Sequence, residues 1–282
     1  MKHAPIGRIL VLGLFALTAG CSEESTTPQD VAGAPAMPAE AAPTAPADTE
    51  VTRTAGECKA VFDGEICTWG DSRGDELVAF GATVPMSTVE SAPPEGEMVM
   101  PPVTLARVRL PESVRNATGV DHLGVNWEVY GHPPTTFMTP HFDFHFYTWT
   151  GAEIEAIDCS NLTKPETLPA GYILPDIGIP EMQMTLVGLC VPEMGMHGVL
   201  ESEYQNTEFF DGSMIIGYYE QEIIFIEPMV AKAHLMKRQD FALDMPKLEG
   251  RGDGIATPSD FEATYDADQD AYHLVFNMAG GE

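Results

Sequence analysis

The sequence predicts an all-β fold, a β-rich sandwich or barrel with at most one or two short helices. Three observations carry this. Short runs with period-two alternation of apolar and polar residues recur from Cys58 to the C-terminus. Gly, Pro, Asn and Asp punctuate them at strand-length intervals. The 282 residues include 26 glycines and 23 prolines, which suits many turns and few helices. Residues 103–110 alternate. Residues 124–130 place Val125, Trp127 and Val129 on one face. Residues 139–147 form the clearest strand. Residues 214–218 and 222–226 read as a hairpin joined around Tyr219, Glu220 and Gln221. A second hairpin pairs 261–265 with 271–276 through the Asp-rich turn 266–270. Residues 150–157, with Ala152, Glu153, Glu155 and Ala156, suit two helical turns behind a polar cap, and 231–238 is open between strand and helix. No internal repeat of fixed period is visible.

The N-terminus carries a targeting signal. Lys2 and Arg8 precede an apolar run at 9–20. That run is too short to cross a hydrocarbon layer of about 30 Å as a helix, and reads as the h-region of a signal peptide. It ends Leu17-Thr18-Ala19-Gly20-Cys21, which resembles a bacterial lipobox. The resemblance implies cleavage before Cys21 and diacylglycerol on its sulfur; an ordinary secretory signal is the alternative. Ser22, rather than Asp, follows the cysteine, which implies the outer membrane in a host with two membranes. Residues 22–56 are rich in Ala, Pro, Thr, Ser and Glu and poor in large apolar side chains, so burial cannot offset their ordering entropy. The expected organisation is a signal peptide (1–20), a lipidated cysteine with a disordered tether (21–56) and a single β-rich domain (57–282).

With 14 basic and 43 acidic residues the formal charge is −29. Such a surface repels phosphate backbones and anionic headgroups, which excludes sequence-independent nucleic-acid binding and leaves the lipid as the expected membrane contact. There is no Gly-x-Ser-x-Gly, P-loop or Rossmann glycine pattern, which disfavours the hydrolases and nucleotide enzymes built on them. Beyond Cys21 four cysteines remain: Cys58, Cys67, Cys159 and Cys190. An even number in an exported chain points to two disulfides. Three pairings exist, and sequence proximity favours Cys58 with Cys67 and Cys159 with Cys190. Thiolate metal ligation is the alternative, though no CxxC supports it.

The strongest chemical signal is Pro140-His141-Phe142-Asp143-Phe144-His145-Phe146-Tyr147. On a strand, His141, Asp143 and His145 share one face and the three phenylalanines share the other. This block is followed by Met194-Gly195-Met196-His197, then Gly217-Tyr218 and Phe225-Ile226-Glu227-Pro228-Met229. The three blocks, in this order, resemble an uncharacterised family of bacterial exported domains under sigma-E control, matched best over 120–235. Gly198 stands where the family pattern has an aromatic. The resemblance implies an envelope location and a related fold, and no established activity.

Taken together, the blocks offer His141, Asp143, His145, His197 and Glu227 as candidate ligands for one divalent transition metal. Zinc suits imidazole and carboxylate best; copper, iron or manganese are alternatives. Positions i and i+4 on a strand lie about 13 Å apart and positions i and i+2 about 7 Å. One ion is therefore expected to take Asp143 with one of the two strand histidines, with His197 and Glu227 closing the site from neighbouring strands. Two other readings stay open: a buried hydrogen-bonded network that fixes strand register, and a metal-free His/Asp acid–base pair. His132, in Gly131-His132-Pro133-Pro134, is either a loop histidine or a gate at the mouth of the site. His122, His234 and His273 have no partners in sequence and are expected to be structural or exposed.

Weaker signals are the cluster Met182, Met184, Met194 and Met196, which suits either core filling or Cu(I), and the run 266–270, which lacks the Gly and Glu of a calcium loop. Arg251-Gly252-Asp253 is read as a chance tripeptide. The function expected is an envelope lipoprotein in maintenance or stress, binding a metal or small ligand through the His/Asp strand. Alternatives are a cupin-like metalloenzyme, with hydrolytic or oxygen chemistry, and a metal-free structural homo-oligomer. Cys21→Ser is expected to move the protein from the membrane to the soluble fraction on cell fractionation; unchanged membrane association would refute lipid anchoring.

Overall fold

A computed structural model describes residues 50–96, 101–179, 183–248 and 255–279. The signal segment, Cys21, the tether up to 49, Met182 and Arg251 to Asp253 lie outside the described residues, as does the side chain of Met184. The chain opens with β1 (Val51–Val61), β2 (Gly64–Arg73), β3 (Glu76–Pro85) and α1 (Met86–Ser91). Next come β4 (Ala106–Arg109), α2 (Glu112–Thr118), β5 (His122–Glu128), β6 (His141–Tyr147) and α3 (Gly151–Glu155). Then follow β7 (Tyr172–Ile173), β8 (Ile177–Ile179), β9 (Met184–Leu186), β10 (Met196–Leu200) and α4 (Glu201–Tyr204). The hairpin β11 (Gly212–Tyr219) and β12 (Glu222–Ala231), then α5 (Lys232–Leu235), β13 (Phe241–Leu243), β14 (Pro258–Asp266) and β15 (Ala271–Met278) complete it.

The strands form a sandwich of two antiparallel sheets. One sheet has the order β1-β2-β3-β15-β14-β13, the other β4-β5-β6-β12-β11-β10-β7, and β8 with β9 makes a separate ribbon. The β-rich class is the one the alternation predicts. The one or two short helices expected are exceeded: the described residues include five α-helices, none longer than seven residues, and two 3-10 turns, Thr135–Phe137 and Val187–Leu189, because strand ends and loops here close in single helical turns. α3 starts where expected, at a reciprocal capping box between Thr150 and Glu153. α5 resolves the ambiguous segment as one helical turn. None of these helices is long and apolar enough to cross a membrane.

One boundary moves. β1 begins at Val51, inside the segment expected to be tether, because its backbone pairs with β2 from Val51↔Arg73 onward. Arg53 fastens this end: its guanidinium meets the Asp71 carboxylate at 2.7 Å and lies 3.8 Å above the Trp69 ring. Composition hid the strand, since its exposed positions are polar or small. Both disulfides follow sequence proximity, Cys58–Cys67 across β1 and β2 and Cys159–Cys190 between two loops.

Turn chemistry explains both hairpins. Glu220 and Gln221 have φ of +50° and +69°, the left-handed pair that a two-residue turn between twisted strands requires. In the second hairpin the Asp266 carboxylate accepts from the backbone N–H groups of Asp268 and Gln269 at 2.8 and 3.0 Å, so the aspartate run is a turn.

Aromatic rings join the sheets. Phe142, Phe144 and Phe146 of β6 are fully buried, as are Phe80 of β3 and Phe276 of β15. Phe146 meets Phe80 at 6.1 Å and Phe276 at 4.9 Å between ring centroids, and Phe80 stacks on Phe276 at 5.1 Å. The phenylalanine face of β6 is thus the inter-sheet core, and the histidine face points away from the first sheet. Phe146→Ala is expected to cost about 3–5 kcal/mol, read as a lower urea midpoint with an unchanged slope. A cost below about 1 kcal/mol would mean the sheets are not held together here.

Candidate metal centre

The outer face of the second sheet is unusual because it is polar and yet buried. Register explains which residues meet there. Asn126↔Asp143 and Glu128↔His141 pair across β5 and β6. Phe225↔Tyr147 and Met229↔Asp143 flank the junction of β12 and β6, which sets Glu227 opposite His145. His197 pairs with Gly217, and Gly217 with Phe225, so β10 contributes to the same face. His141, Asp143, His145, His197 and Glu227 are all buried. Phe210 covers His141 at 5.3 Å, while Phe225 lies 4.8 Å from His145 and 5.1 Å from His197, measured between ring centroids.

The structure does not gather the five expected ligands at one point. It divides them, with His132, into two trios: His132, His141 and Asp143, and His145, His197 and Glu227. Within each, one ligand atom per residue lies within 4.8 Å of the others. Asp143 goes with His141, as the strand spacing allows. His145 turns to Glu227 and His197 instead. His132, a loop residue, joins the first trio directly. The remaining histidines have other surroundings: His122 is buried and stacked on Tyr147 at 5.2 Å, His234 lies 3.3 Å from Asp211, and His273 meets Thr83 at 3.0 Å. Met194 and Met196 are buried, and Met196 belongs to the apolar core. Cys58 and Cys67, close to Glu65, are joined to each other and offer no thiolate.

Hydrogen bonding fixes the state of the first trio. Nδ1 of His141 meets the Thr139 carbonyl at 2.7 Å, and Nδ1 of His132 meets the Pro133 carbonyl at 3.0 Å. A carbonyl only accepts, so each Nδ1 carries the proton and, in the neutral ring, each Nε2 presents a bare lone pair. Burial lowers both pKa values, that of His141 to about 4, so the rings are neutral near pH 7. The two Nε2 atoms nevertheless face each other at 3.2 Å, and His141 Nε2 stands 3.1 Å from Asp143 Oδ1. His132 Nε2 is 4.0 Å from Asp143 Oδ2. Asp143 Oδ1 has no hydrogen-bond partner. With Asp143 ionised, three electron-rich atoms therefore converge with no donor between them; a protonated Asp143 has one proton to donate to His141 Nε2.

The second trio repeats the pattern. His197 Nδ1 donates to the Leu189 carbonyl at 3.0 Å, and burial lowers its pKa to about 4. His145 Nε2 lies 3.4 Å from Glu227 Oε2, yet neither that oxygen nor either nitrogen of His145 makes a hydrogen bond. Burial holds the His145 pKa well below its ordinary value and that of Glu227 well above. Among the described residues, no lysine or arginine pairs with Asp143 or Glu227.

Two residues of this face escaped the sequence reading. Asn126 is buried beside Asp143 with its amide nitrogen unpartnered, and Glu128 is half-buried across from His141. Burial and the Asp143 charge raise the Glu128 pKa to about 7. The alternation of β5 held the signal: attention to the apolar face of Val125 and Trp127 left the polar face, with Asn126 and Glu128, unexamined. Glu128 also lines a cleft of about 160 Å³ with Trp127, Tyr130, Leu105 and Val103, whose lining includes no residue of either trio. A larger cleft of about 570 Å³, lined by Leu168, Tyr218, Ile223 and Lys247, includes no residue of either trio. No family model matches the chain, and no curated protein or solved structure matches it either.

The opposed pKa shifts predict a pH signature for the metal-free protein. His141 and His197 take up protons near 6.5 when unfolded but only near 4 when folded. The unfolded chain then binds more protons, and stability falls as pH drops through that window. Asp143 acts the other way. Its folded pKa is raised to about 7 from 3.8, so its contribution is present at low pH and lost as pH rises. In chelator, Asp143→Asn is expected to make stability climb more steeply between pH 4.5 and pH 6.5 than in the parent, measured by urea melts. An unchanged slope would show that Asp143 is not held protonated.

Proposed function

We propose that this protein is a lipid-anchored component of the bacterial cell envelope whose sandwich binds a divalent transition-metal ion at His132, His141 and Asp143. The observation that carries the reading is that His141 Nε2 stands 3.2 Å from His132 Nε2 and 3.1 Å from Asp143 Oδ1, with 4.0 Å between His132 Nε2 and Asp143 Oδ2, and that no donor lies between these atoms once Asp143 is ionised. Ligands bonded tetrahedrally at 2.0–2.1 Å stand about 3.3 Å apart, close to both spacings around His141, while the third, from His132 to Asp143, is wider at 4.0 Å. The Nδ1 bonds to backbone carbonyls support it too, since histidine ligands are commonly oriented by such contacts. Two imidazoles and a carboxylate suit zinc first; iron, manganese and copper use the same donors. The lipobox at Cys21, the signal segment and the two disulfides support an exported, anchored protein.

A second reading, hydrolytic chemistry at this ion, is favoured by Glu128. The His132 side chain is 28% exposed, so the site opens towards solvent on that side. Three protein ligands leave a position for water, whose acidity a bound ion would raise. The Glu128 carboxylate, pushed to a pKa of about 7 beside the trio, suits the base that would accept its proton.

Elemental analysis of the chain, purified without chelator or affinity tag, tests the first reading. Asp143→Ala is expected to lose about one equivalent of transition metal while keeping its circular dichroism spectrum. No bound metal after loading with zinc, copper, iron or manganese would overturn it and leave a polar network as the account. Asp143→Ala would then cost about 1–3 kcal/mol by unpairing buried groups.

A further inference from the structure

We infer that His145, His197 and Glu227 form a second metal site, separate from the first and enclosed by protein, so that the chain carries two divalent ions. The inference uses none of the residues of the first trio and stands on its own geometry.

The second trio comes from three strands of one sheet. β6 supplies His145, β12 supplies Glu227 directly across from it, and β10 supplies His197 two strands further on. Gly217, on the intervening β11, is what allows this reach. A Cβ there would lie 2.0 Å from the Phe225 ring, so any side chain larger than hydrogen would displace that ring. Freed from this clash, Phe225 occupies the gap over β11 and packs against both imidazoles. Tyr147 stacks on His145 at 5.3 Å, with the rings only 7° from parallel, and itself meets Phe225 at 5.3 Å. The histidines are thus held edge to face, their centroids 6.0 Å apart. The bond from His197 Nδ1 to Leu189 leaves its Nε2 as the atom available to the trio.

Orphaned atoms distinguish this from a hydrogen-bonded network. A network satisfies its members, and buried polar atoms without partners are rare in folded proteins. Here both ring nitrogens of His145 and Oε2 of Glu227 lack a partner, although their side chains are only 1% and 2% exposed. A divalent cation supplies what a neutral imidazole and an ionised carboxylate cannot supply to each other, and its binding displaces any proton held on Glu227.

One ion cannot serve both trios. Atoms bonded to one ion at 2.0–2.2 Å are at most about 4.4 Å apart. The six residues fall into two separate sets even at a spacing of 4.8 Å, and Asp143 and His145 start about 7 Å apart along β6. The two sites also differ in access. The first reaches solvent through His132, whereas the second is closed under Phe225 and the turn at Leu189. An open site suits exchange and chemistry, and a closed one suits holding β10 against the centre of its sheet.

Diffraction from crystals of the whole mature chain, purified from zinc-containing medium and collected on both sides of the zinc absorption edge, is the test. An anomalous peak bonded to His145, His197 and Glu227, together with two equivalents of zinc in solution, is expected. Absence of that peak overturns the inference even if a peak stands at His132, His141 and Asp143. A peak at the second trio alone sustains it and overturns the first site instead. In solution, Glu227→Gln should lose one of the two equivalents and keep the one that Asp143→Ala removes. A single equivalent lost in both variants would mean one shared ion and would also overturn the inference. Should Glu227→Gln not fold, the diffraction experiment on the unaltered chain decides.

Discussion

Strand β6 is buried on both faces, and the two faces obey opposite chemistry. Its phenylalanines lie against Phe80 and Phe276 and weld the two sheets together. Its histidines and aspartate, one residue out of step, point into a second buried layer on the far side of the sheet. Rotating the strand or shifting its register by one residue would place three phenylalanines in the polar layer and three polar groups in the core. Most of the architecture follows from satisfying both faces at once. The first sheet covers one, while the loop carrying His132 and Phe137, the turn at Leu189 and the ring of Phe210 cover the other.

A covered polar face carries an electrostatic demand. Asp143, Glu227 and Glu128 lie together where water is scarce, and the imidazoles near them stay neutral. Leaving such carboxylates charged and unpaired is costly, so the layer must hold extra protons or take up cations. The trios have a donor arrangement that could hold a cation. Backbone carbonyls fix the tautomers of His132, His141 and His197, and aromatic rings fix the orientation of His145. The ligand atoms are aimed before anything binds, which lowers the ordering cost of binding.

The two trios sit on one sheet yet face different surroundings. Glu128 pairs across from His141 beside the first, and its loop histidine is partly exposed. The second lies under Phe225, a position opened by the missing side chain of Gly217. On this view the polar layer combines a site suited to exchange with one suited to holding strands together. The disulfide from Cys159 to Cys190 ties down the segment that carries the Leu189 carbonyl, the acceptor for His197.

Period-two alternation alone determined the β class, the main hairpins and the division of β6 into an apolar and a polar face, because neighbouring strand side chains always point opposite ways. Proximity along the chain was enough for both disulfides, since each closes a local loop. The span of about 13 Å between positions i and i+4 of a strand also separated His141 from His145 as partners for a single ion. Tertiary structure decided the rest. β1 reaches back to Val51 because β2 offers it a backbone ladder, which composition does not encode. His132 belongs with His141 only because a loop folds back over the sheet, and Glu128 and Asn126 join the layer only through the register of β5 against β6. Which histidine meets which carboxylate is set by cross-strand pairing and by the ring of Phe225, and pairing between distant segments leaves no local trace in a single sequence.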